Sequence, residues 1–224
     1  MTMDWSSNSV TACLGAPSAA RSTVAHEQRA RIVSAAEQLI CEGGAGRVTL
    51  GNVCSTAGVS RSAFHAVFED EAQCLMVVFE EASSQACSAM TAAYRAAGCW
   101  VDAIRGALAD LLAFLDQRPR MARFLIVDSL ASDATTRARR ENLLAWLARA
   151  LEADRPPLPT ASLPAPFGGQ AVVGAVASIL HGRLLEEPTP SLLDLHGSLM
   201  GLIVLPYLDV AAARNELSRS APEG

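Results

Sequence analysis

A chain of 224 residues can form one domain with a sizeable core, or a small domain joined to a larger one. Half of its residues are hydrophobic and only 18% are charged, which excludes extensive intrinsic disorder. The net charge of −5 excludes a protein that coats nucleic acid through a general positive potential, although residues 21–65 carry five Arg against three Glu.

The composition favours helices. Ala and Leu supply much of the apolar content, β-branched residues do not form alternating runs, and aromatic residues make up only 5%. These features predict an all-α fold. Residues 1–24 are polar and rich in Ser, Thr and Ala, so we expect a disordered tail there.

The six cysteines contain no Cys-x-x-Cys pair and have no nearby His pair, so neither a metal site nor a disulfide framework is expected. The N-terminus lacks the charge and apolar run of a secretory signal. No apolar run reaches the roughly 18 residues that would span a membrane. We therefore expect a reduced, cytoplasmic protein with no membrane contact, no cofactor and no metal.

Three helices are predicted between residues 25 and 70. The first begins near His26 and ends at Gly43-Gly44. Its apolar residues keep helical spacing: Ile32, Val33, Ala36, Leu39 and Ile40. Thr49 is a suitable N-cap for the second helix, and Ser60 for the third, which ends near Phe68.

The two later helices are joined by the turn Ala57-Gly58-Val59, where glycine accepts a left-handed backbone at little cost. Two short helices joined in this way predict a helix-turn-helix at residues 49–68. The side chains expected to contact double-stranded DNA are Arg47, Thr49, Ser60, Arg61, Ser62, Ala63 and His65. Arg61 could reach guanine O6 and N7, and the hydroxyls could hold phosphates.

Longer helices follow. Helical spacing predicts one from about residue 70 to 93 and others at about 101–115, 121–130, 137–153, 169–186 and 191–205. Residues 154–168 contain five prolines and predict a loop. The predicted organisation is a helix-turn-helix domain at 25–70, a helical effector-binding and dimerisation domain at 71–214, and a tail at 215–224.

Residues 29–79 resemble the N-terminal domain of TetR/AcrR-family transcription regulators. The matching residues are Arg31-Ile32-Val33-x-Ala35-Ala36, then Val48-Thr49-Leu50-x-x-Val53-Cys54-x-x-Ala57-Gly58-Val59-Ser60, then Arg61-Ser62-Ala63-Phe64-His65-x-x-Phe68-Glu69-Asp70-Glu71. The resemblance implies a homodimer that represses from a palindromic operator and is released by a small-molecule effector.

Three residues depart from the family pattern. The family usually has Tyr at position 65 and Lys or Arg at position 71, both of which touch phosphates. His65 could still donate to a phosphate, whereas Glu71 would repel one. Gly51 weakens the second helix by up to about 1 kcal/mol relative to Ala.

The resemblance assigns effector binding and dimerisation to the C-terminal part. The larger side chains proposed for an apolar or amphipathic effector are Met90, Tyr94, Phe114, Met121, Phe124 and Trp146. The side chains proposed for the dimer interface are Val173, Val176, Ala177, Leu180, Leu195, Leu199 and Leu202. Both sets could equally be ordinary core.

An enzyme and a scaffold without DNA binding are the two alternative functions. An enzyme is not expected, because Gly43–Thr49 lacks the ending of a phosphate loop and Ser198 is one place early for a nucleophile elbow. The second alternative is a TetR-like scaffold that has lost DNA binding and acts through a protein or ligand partner. Glu71, Gly51 and the acidic total favour it.

Overall fold

The computed structural model describes residues 19–155 and 168–219, and this part of the chain contains helices and no β-strand. The all-α prediction is confirmed. The helices are α1 (Ala19–Gly43), α2 (Leu50–Ala57), α3 (Arg61–His65), α4 (Glu71–Ala96), α5 (Trp100–Asp116), α6 (Pro119–Arg123), α7 (Ser129–Ala131), α8 (Ala134–Ala153), α9 (Gly168–Leu184), α10 (His196–Val204) and α11 (Val210–Leu217). We call α1–α3 the head and α4–α11 the body.

Local sequence signals set the ends of the head helices. Thr49 Oγ1 accepts a hydrogen bond from the Asn52 amide at 3.3 Å, which begins α2. Gly58 ends α2 with a φ of 62°, in the left-handed region that favours glycine. Ser60 Oγ accepts from the Ala63 amide at 3.1 Å and begins α3. The predicted helix-turn-helix geometry is present.

The head is held together by a small apolar core. Ile32 and Ile40 of α1, Val53 of α2 and Phe64 of α3 are each fully buried, and Phe68 is 1% exposed. The rings of Phe64 and Phe68 pack with their centroids 5.6 Å apart. Burial of these side chains against one another fixes the angle between α2 and α3.

The long helix α4 joins the head to the body. Asp70 caps it by accepting from the Gln73 amide at 2.8 Å, and α5 packs along it. Trp100, the first residue of α5, donates its indole N–H to the Leu151 carbonyl of α8 at 3.1 Å. Its ring also packs against Tyr207, with centroids 5.3 Å apart. One aromatic residue therefore ties together three parts of the body.

Helical structure continues from α6 into α7 through a π-helical segment at Phe124–Asp128. Pro119 starts α6, where its missing N–H is not needed. α6 packs against α1, and the π segment packs against α4 and α9. This region gives the body a second contact with the head, besides α4.

The end of the chain differs from the prediction. Residues 191–205 were expected to form one helix, but a 3₁₀ turn at Leu193–Leu195 precedes α10. The sequence also gave no indication of α11, which packs against α10. A Cβ on Gly197 would lie 3.1 Å from the Glu216 and Arg219 carbonyl oxygens, so glycine permits this close packing.

Two predicted tails lie partly outside the described residues. α1 begins at Ala19, before the expected end of the N-terminal tail at residue 24, and residues 1–18 lie outside the described part. α11 continues to Leu217, into the expected tail at 215–224. Most of the predicted loop at 154–168 is also outside it. None of the described helices has the length and apolar character needed to cross a membrane.

Candidate nucleic-acid interface and effector cavity

The helix α3 presents one face to the core and another to solvent. Phe64 is fully buried, whereas the side chains of Arg61, Ser62 and His65 are exposed and Ala63 is half-buried. The exposed neighbours of Arg61 are small, so this face can approach the edges of bases closely. The structure thus brings the predicted reading residues of α3 together on one surface.

The predicted hydroxyl residues have an intramolecular role. Thr49 and Ser60 accept backbone N–H groups through their side-chain oxygens. Ser60 Oγ also lies 2.9 Å from Ser62 Oγ. A hydroxyl that accepts can still donate its own hydrogen, so contact with a phosphate oxygen remains chemically open to Thr49.

Arg47 ends the 3₁₀ segment Ala45–Arg47 and its side chain is exposed. Its backbone carbonyl accepts from the Asn52 side-chain amide at 2.9 Å, which joins the segment to the start of α2. The Arg47 side chain lies over Gly43 at the end of α1, where a Cβ added to Gly43 would be 3.4 Å from Arg47 Nε. The phosphate contact expected of Arg47 stays a prediction.

Arg31 is a residue that the sequence reasoning did not place in the site. Its guanidinium extends from α1 to the end of α2 and donates to the Ala57 carbonyl at 2.5 Å and the Gly58 carbonyl at 3.1 Å. These carbonyls form the turn of the helix-turn-helix. Arg31 is exposed, and its guanidinium holds the turn against α1 and so positions α3.

Glu71 has a role that the sequence did not predict. Its carboxylate accepts a hydrogen bond at 3.0 Å from the Leu50 amide, the first N–H of α2. A negative charge is favourable at this end of a helix. The expectation that Glu71 repels a phosphate is thus incomplete, because the carboxylate also occupies an amide that a phosphate could otherwise bind.

His65 is also engaged within the chain. Its Nδ1 lies 3.2 Å from the Glu69 carbonyl oxygen, and because a carbonyl only accepts, Nδ1 is the donor. The Nε2 of a neutral imidazole is then an acceptor. The expected donation from His65 to a phosphate therefore competes with its bond to the Glu69 carbonyl.

A cavity of about 740 Å³ lies in the body between α4, α5, α8 and α9. Three of the predicted effector residues, Met90, Tyr94 and Trp146, line it. The other three do not. Met121 and Phe124 are each 1% exposed in the core, and the Phe114 ring lies beneath the Arg118 guanidinium at 4.5 Å. Phe114 belongs to α5, Met121 to α6 and Phe124 to the π-helical segment, where its ring packs against Phe79 of α4.

The walls of the cavity are mostly aliphatic. Ile104, Leu108 and Leu111 come from α5, and Val172, Val173 and Val176 come from α9. Cys87 also lines it, and burial raises the pKa of this thiol to about 11, so it is protonated at neutral pH. The cavity can therefore take an apolar molecule, as proposed from the sequence.

Polar groups line one end of the cavity. The Tyr94 hydroxyl donates to Asp154 Oδ2 at 3.0 Å. Burial raises the pKa of Tyr94 to about 12, and the hydrogen bond and charge of Asp154 act in the same direction. Arg95 and Thr91 lie at the same end.

The predicted dimer residues do not share one surface. Leu180 and Leu199 are 3% and 0% exposed and belong to the core of the chain. Val173 and Val176 face the cavity. Ala177, Leu195 and Leu202 are half-buried, whereas the exposed apolar side chains of this region are Ile179, Leu185 and Leu205. Periodicity alone could not separate the two faces of helices that are apolar all round.

No protein-family model and no curated protein sequence matches the chain. Several solved structures do. SmeT, the repressor of the Stenotrophomonas maltophilia multidrug efflux pump SmeDEF, has a TM-score of 0.66 and 19% identity, over 88% of this chain and 100% of that one. FadR from Bacillus subtilis, solved with stearoyl-CoA, has a TM-score of 0.63 and 16% identity, over 79% and 98%. A TetR-family regulator from Marinobacter aquaeolei VT8 has a TM-score of 0.56 and 18% identity, over 83% and 96%.

Proposed function

We propose that this chain, which has the fold of TetR-family transcription regulators, works as one. It would be a cytoplasmic homodimer that represses from a palindromic DNA operator and is released when a small molecule occupies the cavity. The observation that carries this proposal is the exposed face of α3. Arg61 lies on this face, and the opposite face is anchored in the core by the buried Phe64.

Arg61 is the proposed base-reading residue. It lies at the first position of α3, and its long side chain is surrounded by Ser62 and Ala63, which leave room for a groove edge. A guanidinium can donate to both O6 and N7 of guanine, which contributes about 1–3 kcal/mol of discrimination. Arg47 and Thr49 would contact the phosphates beside it.

Dimerisation would place two α3 helices about 34–36 Å apart, one turn of DNA. The proposed interface uses the surface formed by α9 and α10, with Ala177, Leu195 and Leu202 from the sequence prediction and Ile179 as the exposed apolar residue beside them. Leu180 and Leu199 contribute from beneath, as core.

Release would follow if an occupied cavity favours a different position of α4. This helix lines the cavity through Met90 and Tyr94, and its first residue, Glu71, bonds to the first amide of α2. A ligand that prefers one spacing of the two heads would shift the population toward it.

The proposal is tested by selecting DNA fragments from the genome of the source organism and measuring binding to the recovered site by fluorescence anisotropy. The Arg61→Ala variant should bind at least about tenfold more weakly. Arg149→Ala is the matched control, because Arg149 is an exposed Arg on α8, in the body. Equal binding by both variants, or no selected sequence, would contradict the proposal.

Glu71 favours a second candidate, a ligand-responsive scaffold that no longer binds DNA. Its carboxylate occupies the α2 amide and places a negative charge beside the proposed interface. Titrations at several salt concentrations distinguish the two functions, because DNA binding weakens steeply with salt. The absence of any salt-dependent binding would favour the scaffold.

A further inference from the structure

The cavity is bounded along one side by two helices that run in the same direction. Arg139 of α8 pairs with Glu80 of α4 at 2.8 Å, and about four turns later Asp154, after α8, accepts from Tyr94 of α4 at 3.0 Å. Because both links join residues in the same order, the C-terminal ends of α4 and α8 lie at the same end of the cavity. The last carbonyls of both helices carry partial negative charge there.

Asp154 adds a full negative charge to this end. It directly follows α8, where a carboxylate is unfavourable for the helix dipole. Among the described residues its one hydrogen-bond donor is the neutral Tyr94 hydroxyl, and no cation pairs with it. An acid in this position has capacity to accept from a positively charged ligand.

The nearby N-terminus of α9 does not offset this negative charge. The Gly169 amide donates to Glu152 Oε1 at 2.6 Å, so a carboxylate of the chain already occupies the end of the helix that attracts anions. A Cβ on Gly169 would meet the same carboxylate at 2.9 Å, which shows how closely Glu152 covers it.

Tyr94 beside Asp154 also suits a cation, because it lines the cavity and aromatic faces attract ammonium groups. Trp146 lines the cavity about two turns earlier on α8. Among the described residues that line the cavity, Arg95 is the one basic residue, and its side chain is exposed. It lies in the last turn of α4, where its charge is favourable for that helix, and a long basic side chain extends readily to water.

We propose that the effector is an amphipathic organic cation whose amine or quaternary ammonium group lies at Asp154 and Tyr94 and whose apolar body extends past Trp146 into the cavity between α5 and α9. The inference rests on the proposed function, since it names the ligand class of the same cavity. It predicts that charge, and not apolar size alone, decides which molecules bind.

Three probes with ten-carbon chains test it: decyltrimethylammonium, decanol and decanoate, each titrated into the full-length protein by calorimetry. We expect the ammonium probe to bind at least about tenfold more tightly than decanoate. Asp154→Asn should weaken the ammonium probe about tenfold and leave decanol unchanged. Arg95→Gln, the matched control at the same end, should not weaken the ammonium probe.

Several outcomes would overturn the proposal. These are tighter binding of decanoate that Arg95→Gln abolishes, equal binding of all three probes, no binding of any probe, or no effect of Asp154→Asn. Tyr94→Phe provides a second variant that keeps the ring but frees the carboxylate, and it should change ammonium binding without changing decanol binding.

Operator binding by the same variants without ligand separates this inference from the proposed function. Asp154 is exposed in the body and does not belong to the DNA-reading head, so Asp154→Asn should bind DNA like the unmodified protein. Ammonium binding without DNA binding would contradict the proposed regulator function and support the proposed ligand class. DNA binding without ammonium binding would support the regulator function and contradict the ligand class.

Discussion

The head and the body differ in how regularly their helices begin with a polar cap. In the head, α2 and α3 begin with Thr49 and Ser60, which bond to backbone amides, and Asp70 does the same where α4 leaves the head. In the body, Asp133 and Asp209 cap α8 and α11 in this way, but α5 and α10 begin without a side-chain cap bond. The head is therefore specified by signals within a few residues, and much of the body by contacts between distant segments.

Long-range polar contacts show the same contrast. Arg105 of α5 donates to both carboxylate oxygens of Glu216 in α11, at 2.9 and 2.7 Å, across 111 positions of the chain. Asp102 bonds to the same guanidinium. Such contacts cannot be read from local periodicity, and the following experiments test how strongly each region depends on its own kind of contact.

The largest expected effect is the loss of the buried partner of Arg105. The Glu216 side chain is 6% exposed, so Glu216→Ala leaves a poorly hydrated cation and should lower the free energy of unfolding by about 3 kcal/mol. Glu186→Ala removes the exposed acid of the pair with Arg183 and should cost less than about 0.5 kcal/mol. Urea unfolding of both variants measures the difference, and equal stabilities would show that the body does not depend on this pair.

The same pair predicts a dependence on pH. Burial alone would raise the pKa of Glu216, but the hydrogen bonds and charge of Arg105 lower it overall. Because the folded pKa is lowered, the stabilisation is complete above about pH 5 and is lost as the pH falls through about 4 and below. Glu216→Gln should flatten the stability curve in this range, and an unchanged acid limb would contradict this account.

The second effect concerns close packing between α8 and α9. A Cβ on Gly169 would lie 2.7 Å from the Ala148 carbonyl oxygen, so Gly169→Ala should destabilise the protein by about 2 kcal/mol. Gly182→Ala lies in the same helix with no atom within 4 Å of its Cβ and should be neutral or stabilising. Thermal unfolding compares the two variants, and a neutral Gly169→Ala would show that α8 and α9 can separate without cost.

A smaller effect is expected in the head. Arg31→Ala removes two bonds to the turn carbonyls, and because the side chain is exposed the cost should be about 1 kcal/mol. DNA affinity should fall as well, since α3 loses its support, and Arg31→Lys should recover part of it. If stability falls but DNA affinity does not, Arg31 is structural and does not position α3.

The smallest effect concerns Glu71. Glu71→Lys frees the Leu50 amide and adds a cation beside the proposed phosphate contacts, so DNA should bind about threefold more tightly at low salt. The slope of affinity against salt should steepen by about 0.9 for the added contact. Glu71→Gln, which keeps an acceptor, should give an intermediate affinity without the full change in slope. Weaker binding by Glu71→Lys would show that the cap on α2 matters more than the charge.

The sequence predicted the head well because its signals are local. The spacing of Ile32 and Ile40, the caps at Thr49 and Ser60, and Gly58 in the turn each have a direct structural counterpart. The partners of Glu71 and His65 were missed, although the acid at 71 and the imidazole at 65 were recognised as departures. Their hydrogen bonds depend on how the ends of α2, α3 and α4 are arranged in space, and the spacing of residues along the chain does not predict that arrangement.

The body was predicted less completely. Met90, Tyr94 and Trp146 line the cavity, but helical spacing placed them in the same class as Met121 and Phe124, which fill the core. Gly201 of α10 packs closely against α11, where a Cβ on it would lie 3.0 Å from Leu217 Cγ. A small residue in the sequence indicates that another segment packs closely against it, but does not identify that segment.

Two side-chain links join α4 and α8 along the cavity. The salt bridge between Glu80 and Arg139 joins side chains that are 40% and 46% exposed, so breaking it costs at most about 1 kcal/mol, and less at high salt. The hydrogen bond between Tyr94 and Asp154 joins a partly buried hydroxyl to the carboxylate. A ligand too long for the cavity would therefore separate α4 from α8 at the Glu80 end, so that longer ligands bind more readily as ionic strength rises.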